Sequence, residues 1–76
     1  MSHRFKAVFE RDPDGGYSVF VPALPGCASQ GDSLEEAQTN IEDAIDLYLQ
    51  SLKDDGLPIP DSDPEVLIRE IEVLAS

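Results

Sequence analysis

The sequence predicts an α+β fold: a small, mostly antiparallel sheet with one helix packed on one face, in the order β-β-β-α-β. Three features predict it. Residues 4–10 and 17–22 alternate apolar and polar side chains around an Asp-Pro-Asp-Gly-Gly turn. Residues 31–56 carry one apolar stripe at the helical period. Residues 66–75 alternate again and are rich in β-branched side chains. Alternation marks half-buried strands, and a stripe repeating every three to four residues marks a helix lying on something flat.

The first strand is residues 4–10. Phe5, Ala7 and Phe9 share one face; Arg4, Lys6, Val8 and Glu10 share the other. Asp12 to Gly16 forms the turn. Pro13 presets its own φ, Asp14 can cap the bend, and Gly15 and Gly16 accept positive φ. The second strand, residues 17–22, sets Tyr17, Val19 and Val21 against Ser18, Phe20 and Pro22, which completes a hairpin. Ala23-Leu24-Pro25-Gly26 is a second turn. Cys27 to Gln30 reads as a short edge strand, because Pro22 and Pro25 stand beside it. Gly31 breaks it.

The helix follows at once. Its stripe is Leu34, Ala37, Ile41, Ala44, Ile45, Tyr48, Leu49 and Leu52. Glu35, Glu36, Thr39, Glu42, Asp43, Asp46, Gln50 and Lys53 make the opposite face. Ser33 and Glu36 fit a capping box, and acids at the start complement the helix dipole. Gly56 suits the left-handed position that closes a helix. Residues 57–65 hold three prolines in nine residues, which favours an extended link. Val66 to Ala75 is the fourth strand, with Leu67, Arg69, Ile71, Val73 and Ala75 on one face. Ile68, Glu70, Glu72 and Leu74 are on the other. Pro64-Glu65 also allows a helical start. A strand reached through a helix crosses over right-handedly, which places it parallel to the first strand in the order 3-2-1-4. Phe5, Phe9, Tyr17, Val19, Val21, Ile71 and Val73 then lie beneath the helix.

The 76 residues make one domain, 1–76. A chain this short buries only about 60% of its unfolded surface, which favours oligomerisation or a permanent partner. No apolar run approaches the ~20 residues that span a bilayer. The first ten residues hold no signal-peptide core and Cys27 is unpaired, so the expected location is the cytoplasm. The net charge is −11 and is unevenly placed. Residues 1–31 are neutral, whereas residues 32–76 set Lys53 and Arg69 against thirteen acids. Such a chain does not hold a polyanion by charge, so direct nucleic-acid binding is not expected. Its acids either keep the surface solvated or steer a basic partner toward it.

Chemistry is hard to find. His3, at the terminus, and Cys27, on an edge strand, are the only His and Cys, which gives no nucleophile–base pair and too few ligands for zinc. No glycine-rich loop opens a helix, and the acids do not converge as a two-metal site needs. No cofactor or metal is expected. The outer sheet face is less bland: Val8, Phe20, Ile68 and Leu74 would form a mixed patch suited to association.

Asp12 to Tyr17, Pro22 to Cys27 and Gln30 to Ala37 together resemble the N-terminal domain of the HicB antitoxin family. That family runs an acidic D-x-D/E-G-G-Y hairpin, a P-x-L-P-G-C turn and a G-D-T/S-x-E-E-A helix start. The link and last strand also match, so the resemblance covers nearly the whole chain. It implies a partial ribonuclease H-like fold without catalytic carboxylates. It also implies a non-enzymatic antitoxin that binds and neutralises a small, basic, RNA-cleaving HicA-type toxin and commonly self-associates. Many full-length members add a C-terminal DNA-binding domain; this sequence stops at Ser76, after the last strand.

The expected partners are therefore a HicA-like toxin and the chain itself, as a homodimer or dimer of dimers. The alternatives are an orphan oligomeric module that binds another protein or a ligand, and an enzyme, which would need one indispensable Asp, Glu, His or Cys. Glu35, Glu42 and Asp46 are the expected steering residues. Phe20, with Pro22 and Leu24 beside it, is the expected apolar anchor.

Overall fold

The computed structural model describes residues 3–60 and 63–75. Part of the expected link, residues 61–62, lies outside them. Three antiparallel strands, β1 (Val8–Arg11), β2 (Tyr17–Phe20) and β3 (Ala28–Gly31), precede one helix, α1 (Leu34–Asp54). The sheet order is β1-β2-β3. This is the expected α+β class.

The hairpin register pairs Val8 with Phe20, Phe9 with Val19 and Arg11 with Tyr17. Its turn closes where Gly15 N–H meets the Asp12 carbonyl at 3.0 Å, and Asp12 N–H meets that of Gly16 at 3.0 Å. Gly15 and Gly16 have φ of 96° and 82°, which side chains disfavour. Asp12 fastens the bend rather than Asp14: the Ser18 hydroxyl donates to its carboxylate at 3.2 Å.

The strands are shorter than alternation suggests. β1 gains no ladder partner before Val8: β2 ends at Phe20, Val21 N–H faces β3 and meets the Cys27 carbonyl at 3.1 Å, and Pro22, next in line to face β1, has no N–H to donate. Gly31 does not break β3 but ends it, paired with Tyr17. A Cβ on Gly31 would fall within 2.8 Å of the Ala37 Cα, so glycine here lets the helix backbone approach the sheet.

Helix capping follows the local chemistry. The Ser33 hydroxyl accepts from Glu36 N–H at 3.1 Å. The reciprocal bond from the Glu36 carboxylate is absent among the described residues, so half of the capping box forms. At the other end Gly56 (φ 70°) donates to the Lys53 carbonyl and Leu57 to that of Leu52, at 3.1 and 2.8 Å. That pair of bonds is a Schellman closure.

Val19, Val21, Leu24, Cys27, Ala37 and Ile41 form the core, with Phe5, Phe9, Tyr17, Ile45, Tyr48 and Leu49 packed against it. The helix lies over β2 and β3. Leu34, expected in the buried stripe, is 48% exposed because it sits at the helix's first position, before the helix reaches the sheet.

Among the described residues the fourth strand does not form. Residues 66–75 are neither strand nor helix, and their side chains are exposed. Ile71 and Val73, expected beneath the helix, point into solvent, as do Ile68 and Leu74, expected on the outer sheet face. A strand exists only with a partner for its backbone groups, and here the segment leaves the sheet without pairing.

Candidate functional site

The residues named from the sequence fall on two faces and in the core. Glu35, Glu42 and Asp46 are exposed on the helix. Offsets of seven and four residues put them on one side of the cylinder, spread over roughly 16 Å at 1.5 Å per residue. Glu36 and Asp43 are exposed beside them. The helix therefore presents an acidic flank to solvent, and its start is braced by the Ser33 cap.

Phe20 stands on the opposite side of the sheet. It is 41% exposed and lies directly across from half-buried Val8. Cross-strand neighbours sit about 4.5–5.5 Å apart at Cβ, so the two make one small apolar patch. Pro22 is half-buried at its edge. The patch is smaller than expected, since Ile68 and Leu74 do not join it.

Leu24 is not a surface anchor. It is 0% exposed and fills the core. Leu24 N–H bonds the Val21 carbonyl at 3.0 Å and Cys27 N–H bonds the Leu24 carbonyl at 2.9 Å, which folds the loop inward over the hydrophobic centre. Gly26, at φ 84°, permits that wrap. Cys27, expected at the start of an edge strand, is buried too, and burial pushes its thiol pKa up.

Two side-chain hydrogen bonds that periodicity did not reveal tie this surface together. Asn40 Nδ2 donates to the Gln30 carbonyl at 2.7 Å, clamping the helix to the β3 edge. The Tyr48 hydroxyl donates to the Pro25 carbonyl at 2.9 Å, clamping it to the loop. An amide on a helix flank and a tyrosine in an apolar stripe were the only signals.

A groove of about 610 Å³ runs between the N-terminal segment and the helix. Phe5, Ile45 and Leu49 make its floor, with Arg4, Glu42 and Asp46 at its rim. Thus Glu42 and Asp46 share a depression with apolar side chains, whereas Glu35 and Phe20 do not reach it. Among the described residues, no three His, Cys, Asp or Glu side chains are grouped to hold a metal ion. No described helix is long and apolar enough to cross a membrane.

Comparison with known proteins identifies the family of the chain that carries this surface. A family model described as the HicB-like antitoxin of bacterial toxin–antitoxin systems matches residues 5–72. A UPF0150 protein of Synechocystis is 40% identical over 72 residues, covering 95% of this chain and 89% of that one. A UPF0150 protein of Thermoplasma acidophilum is 44% identical over 62 residues, covering 82% and 90%. One from Helicobacter pylori is 57% identical over 51 residues, covering 67% and 69%. With the match running through the hairpin, the inward-folded loop, the capped helix and most of the tail, the chain belongs to the HicB-like antitoxin family of bacterial toxin–antitoxin systems.

Proposed function

We propose that this chain is a non-enzymatic antitoxin that binds and blocks a small, basic, RNA-cleaving toxin of the HicA type, and that it acts in the cytoplasm as a homo-oligomer. The observation that carries this reading is the charge map. The whole net charge of −11 resides in residues 32–76, and the helix exposes Glu35, Glu36, Glu42, Asp43 and Asp46 on its open flank. Such a field attracts a basic protein and repels RNA, so the antitoxin acts by covering the toxin and not by competing for its substrate.

Steering and holding fall to different residues. The acids raise the encounter rate, and apolar contact slows departure. Phe20 is the anchor, with Val8 across the strand and Pro22 at its edge. Leu24 supports the loop from beneath. Direct nucleic-acid binding is not part of this role.

The test is titration of the chain into RNA cleavage by a HicA-type toxin. Cleavage falls to background at a stoichiometric ratio, and Phe20→Ala raises the dissociation rate with the fold unchanged by circular dichroism. Full cleavage at saturating chain, with no complex on a sizing column, overturns the reading.

A further inference from the structure

The C-terminal segment is the part of the molecule with the most unspent surface. Six large apolar side chains, Val66, Leu67, Ile68, Ile71, Val73 and Leu74, are exposed within residues 66–75; Ile68 is 87% and Leu74 96% exposed. The radius of gyration is 14.9 Å, against about 11 Å for a compact chain of this length. The tail therefore adds length without adding core. A contiguous exposed apolar stretch of this kind marks an interaction site.

The sheet has a matching vacancy. β3 is closed on its outer side, because Asn40 takes the Gln30 carbonyl and the helix start crowds Gly31. Among the described residues β1 pairs only with β2, and the helix leans over β2 and β3, away from it. The groove floored by Phe5, Ile45 and Leu49 opens where β1 leads in. A strand added beside β1 would pair with its free backbone groups and lay one face in that groove.

We propose that the occupant is the C-terminal segment of a second copy of this chain, exchanged reciprocally, so that each tail becomes the fourth strand of its partner's sheet. Chemistry matches along the length. Leu67, Ile71 and Val73 share the face that meets Phe5, Ile45 and Leu49. Arg69 lies on that same face, and the groove rim offers it the Glu42 and Asp46 carboxylates. One guanidinium against two carboxylates leaves the rim acidic.

Charge selects the occupant. Residues 4–11 carry Arg4, Lys6 and Arg11 against Glu10, while residues 63–75 carry Asp63, Glu65, Glu70 and Glu72 against Arg69. The edge is the basic part of the chain and the tail is acidic. A basic toxin would be repelled by this edge, whereas the tail of a copy is attracted to it. The chain's own tail fits poorly. It leaves from beside the start of β1, where Lys6 N–H donates to the Asp63 carboxylate at 3.0 Å. From there residues 66–75 run on unpaired and exposed, and do not take the edge of their own sheet.

This inference rests on self-association but not on the toxin reading. Sedimentation of the full chain at tens of micromolar, with an NMR sample mixing ¹³C-labelled and unlabelled chains, tests it. A dimer is expected, with intermolecular contacts from the Leu67, Ile71 and Val73 methyls to Phe5, Ile45 and Leu49. Ile71→Asp then weakens the dimer at least about tenfold while helix content stays. A dimer whose tail methyls contact nothing in the partner overturns the exchange and spares self-association. Contacts found only within one chain overturn it in favour of a self-closed sheet. A monomer with free tail methyls overturns both, and ordering of those methyls on adding a basic toxin reassigns the tail to that partner.

Discussion

Tyr48 Oη and the Pro25 carbonyl, 23 residues apart in the chain, meet at 2.9 Å. The bond pins the second half of the helix to the loop that carries Leu24 into the core. It also explains a tyrosine in the apolar stripe: the ring packs while the hydroxyl reaches the rim of the loop. A typical intramolecular hydrogen bond contributes about 0.5–1.5 kcal/mol net. Tyr48→Phe is expected to lower unfolding free energy by about that much, measured by urea titration. No change in midpoint would mean that the loop holds itself through its own backbone bonds.

Ile41 and Ile45 separate what the helical stripe joins. Ile41 is 2% exposed in the core, whereas Ile45 is half-buried on the groove floor. Ile41→Ala is expected to cost about 2–5 kcal/mol, a large share of a small domain's stability. Ile45→Ala should cost less in a monomer and more in an assembly that covers the groove. Denaturation at two protein concentrations separates the cases. Equal losses at both sites and both concentrations would count against the groove being open.

Gly31 supports a sharper test. A methyl group there would strike the backbone around Ala37, which has no flexible end to swing aside. Gly31→Ala should shift the helix off β3 and cost roughly 1–3 kcal/mol or more, as overpacking does. Gly26→Ala, by contrast, meets no atom within 4 Å and is strained only through its φ of 84°. Thermal melts of both variants give the comparison, and a Gly31→Ala midpoint equal to the parent's would deny the close approach.

These residues show how far the sequence could be read. Caps, the Asp12–Gly16 turn and the helix period are local, so their chemistry sits within a few residues and is legible. Leu24 was not, because a Pro-Gly turn looks like surface and its inward fold depends on bonds between Val21, Leu24 and Cys27. Gly31 read as a breaker, since nothing in the sequence shows what will lie against it. The tail was the largest gap. Alternation identifies a segment that can be a strand, but pairing is non-local and names no partner. Exposure was legible only in part: the helix acids and Phe20 lie at the surface as expected, whereas Pro22 is half-buried and Leu24 is in the core.

Cys27 gives a pH prediction. Burial raises its thiol pKa, so the folded state holds the proton to higher pH than the unfolded state does. Over that window the unfolded chain binds fewer protons, and stability falls as pH rises. The contribution is complete below the ordinary thiol value of about 8.5 and is lost as pH climbs through the folded value. Urea midpoints should therefore decline in the alkaline range, and less so in Cys27→Ala. Native Cys27 should also resist thiol reagents until the core opens. Immediate labelling without denaturant would contradict the burial.

The last prediction concerns rates. On the proposed role, association with a basic HicA-type toxin should fall steeply with salt. The acids at Glu35, Glu42 and Asp46 lie along one exposed helix flank, so their fields add at the distances where partners first meet. Those fields are screened beyond about 8 Å at physiological ionic strength. Glu35→Gln, Glu42→Gln and Asp46→Asn together should slow association more than they speed dissociation, because exposed charges act mainly before contact. Phe20→Ala should do the reverse, since an apolar anchor is felt only after contact. Two of the three acids also rim the groove, where the exchanged tail would place Arg69. Glu35→Gln alone therefore reports steering without touching that assembly. Stopped-flow mixing at two salt concentrations reads both rates. An association rate indifferent to salt and to neutralisation would reduce the acids to a solvating surface, and an unchanged dissociation rate in Phe20→Ala would move the anchor elsewhere.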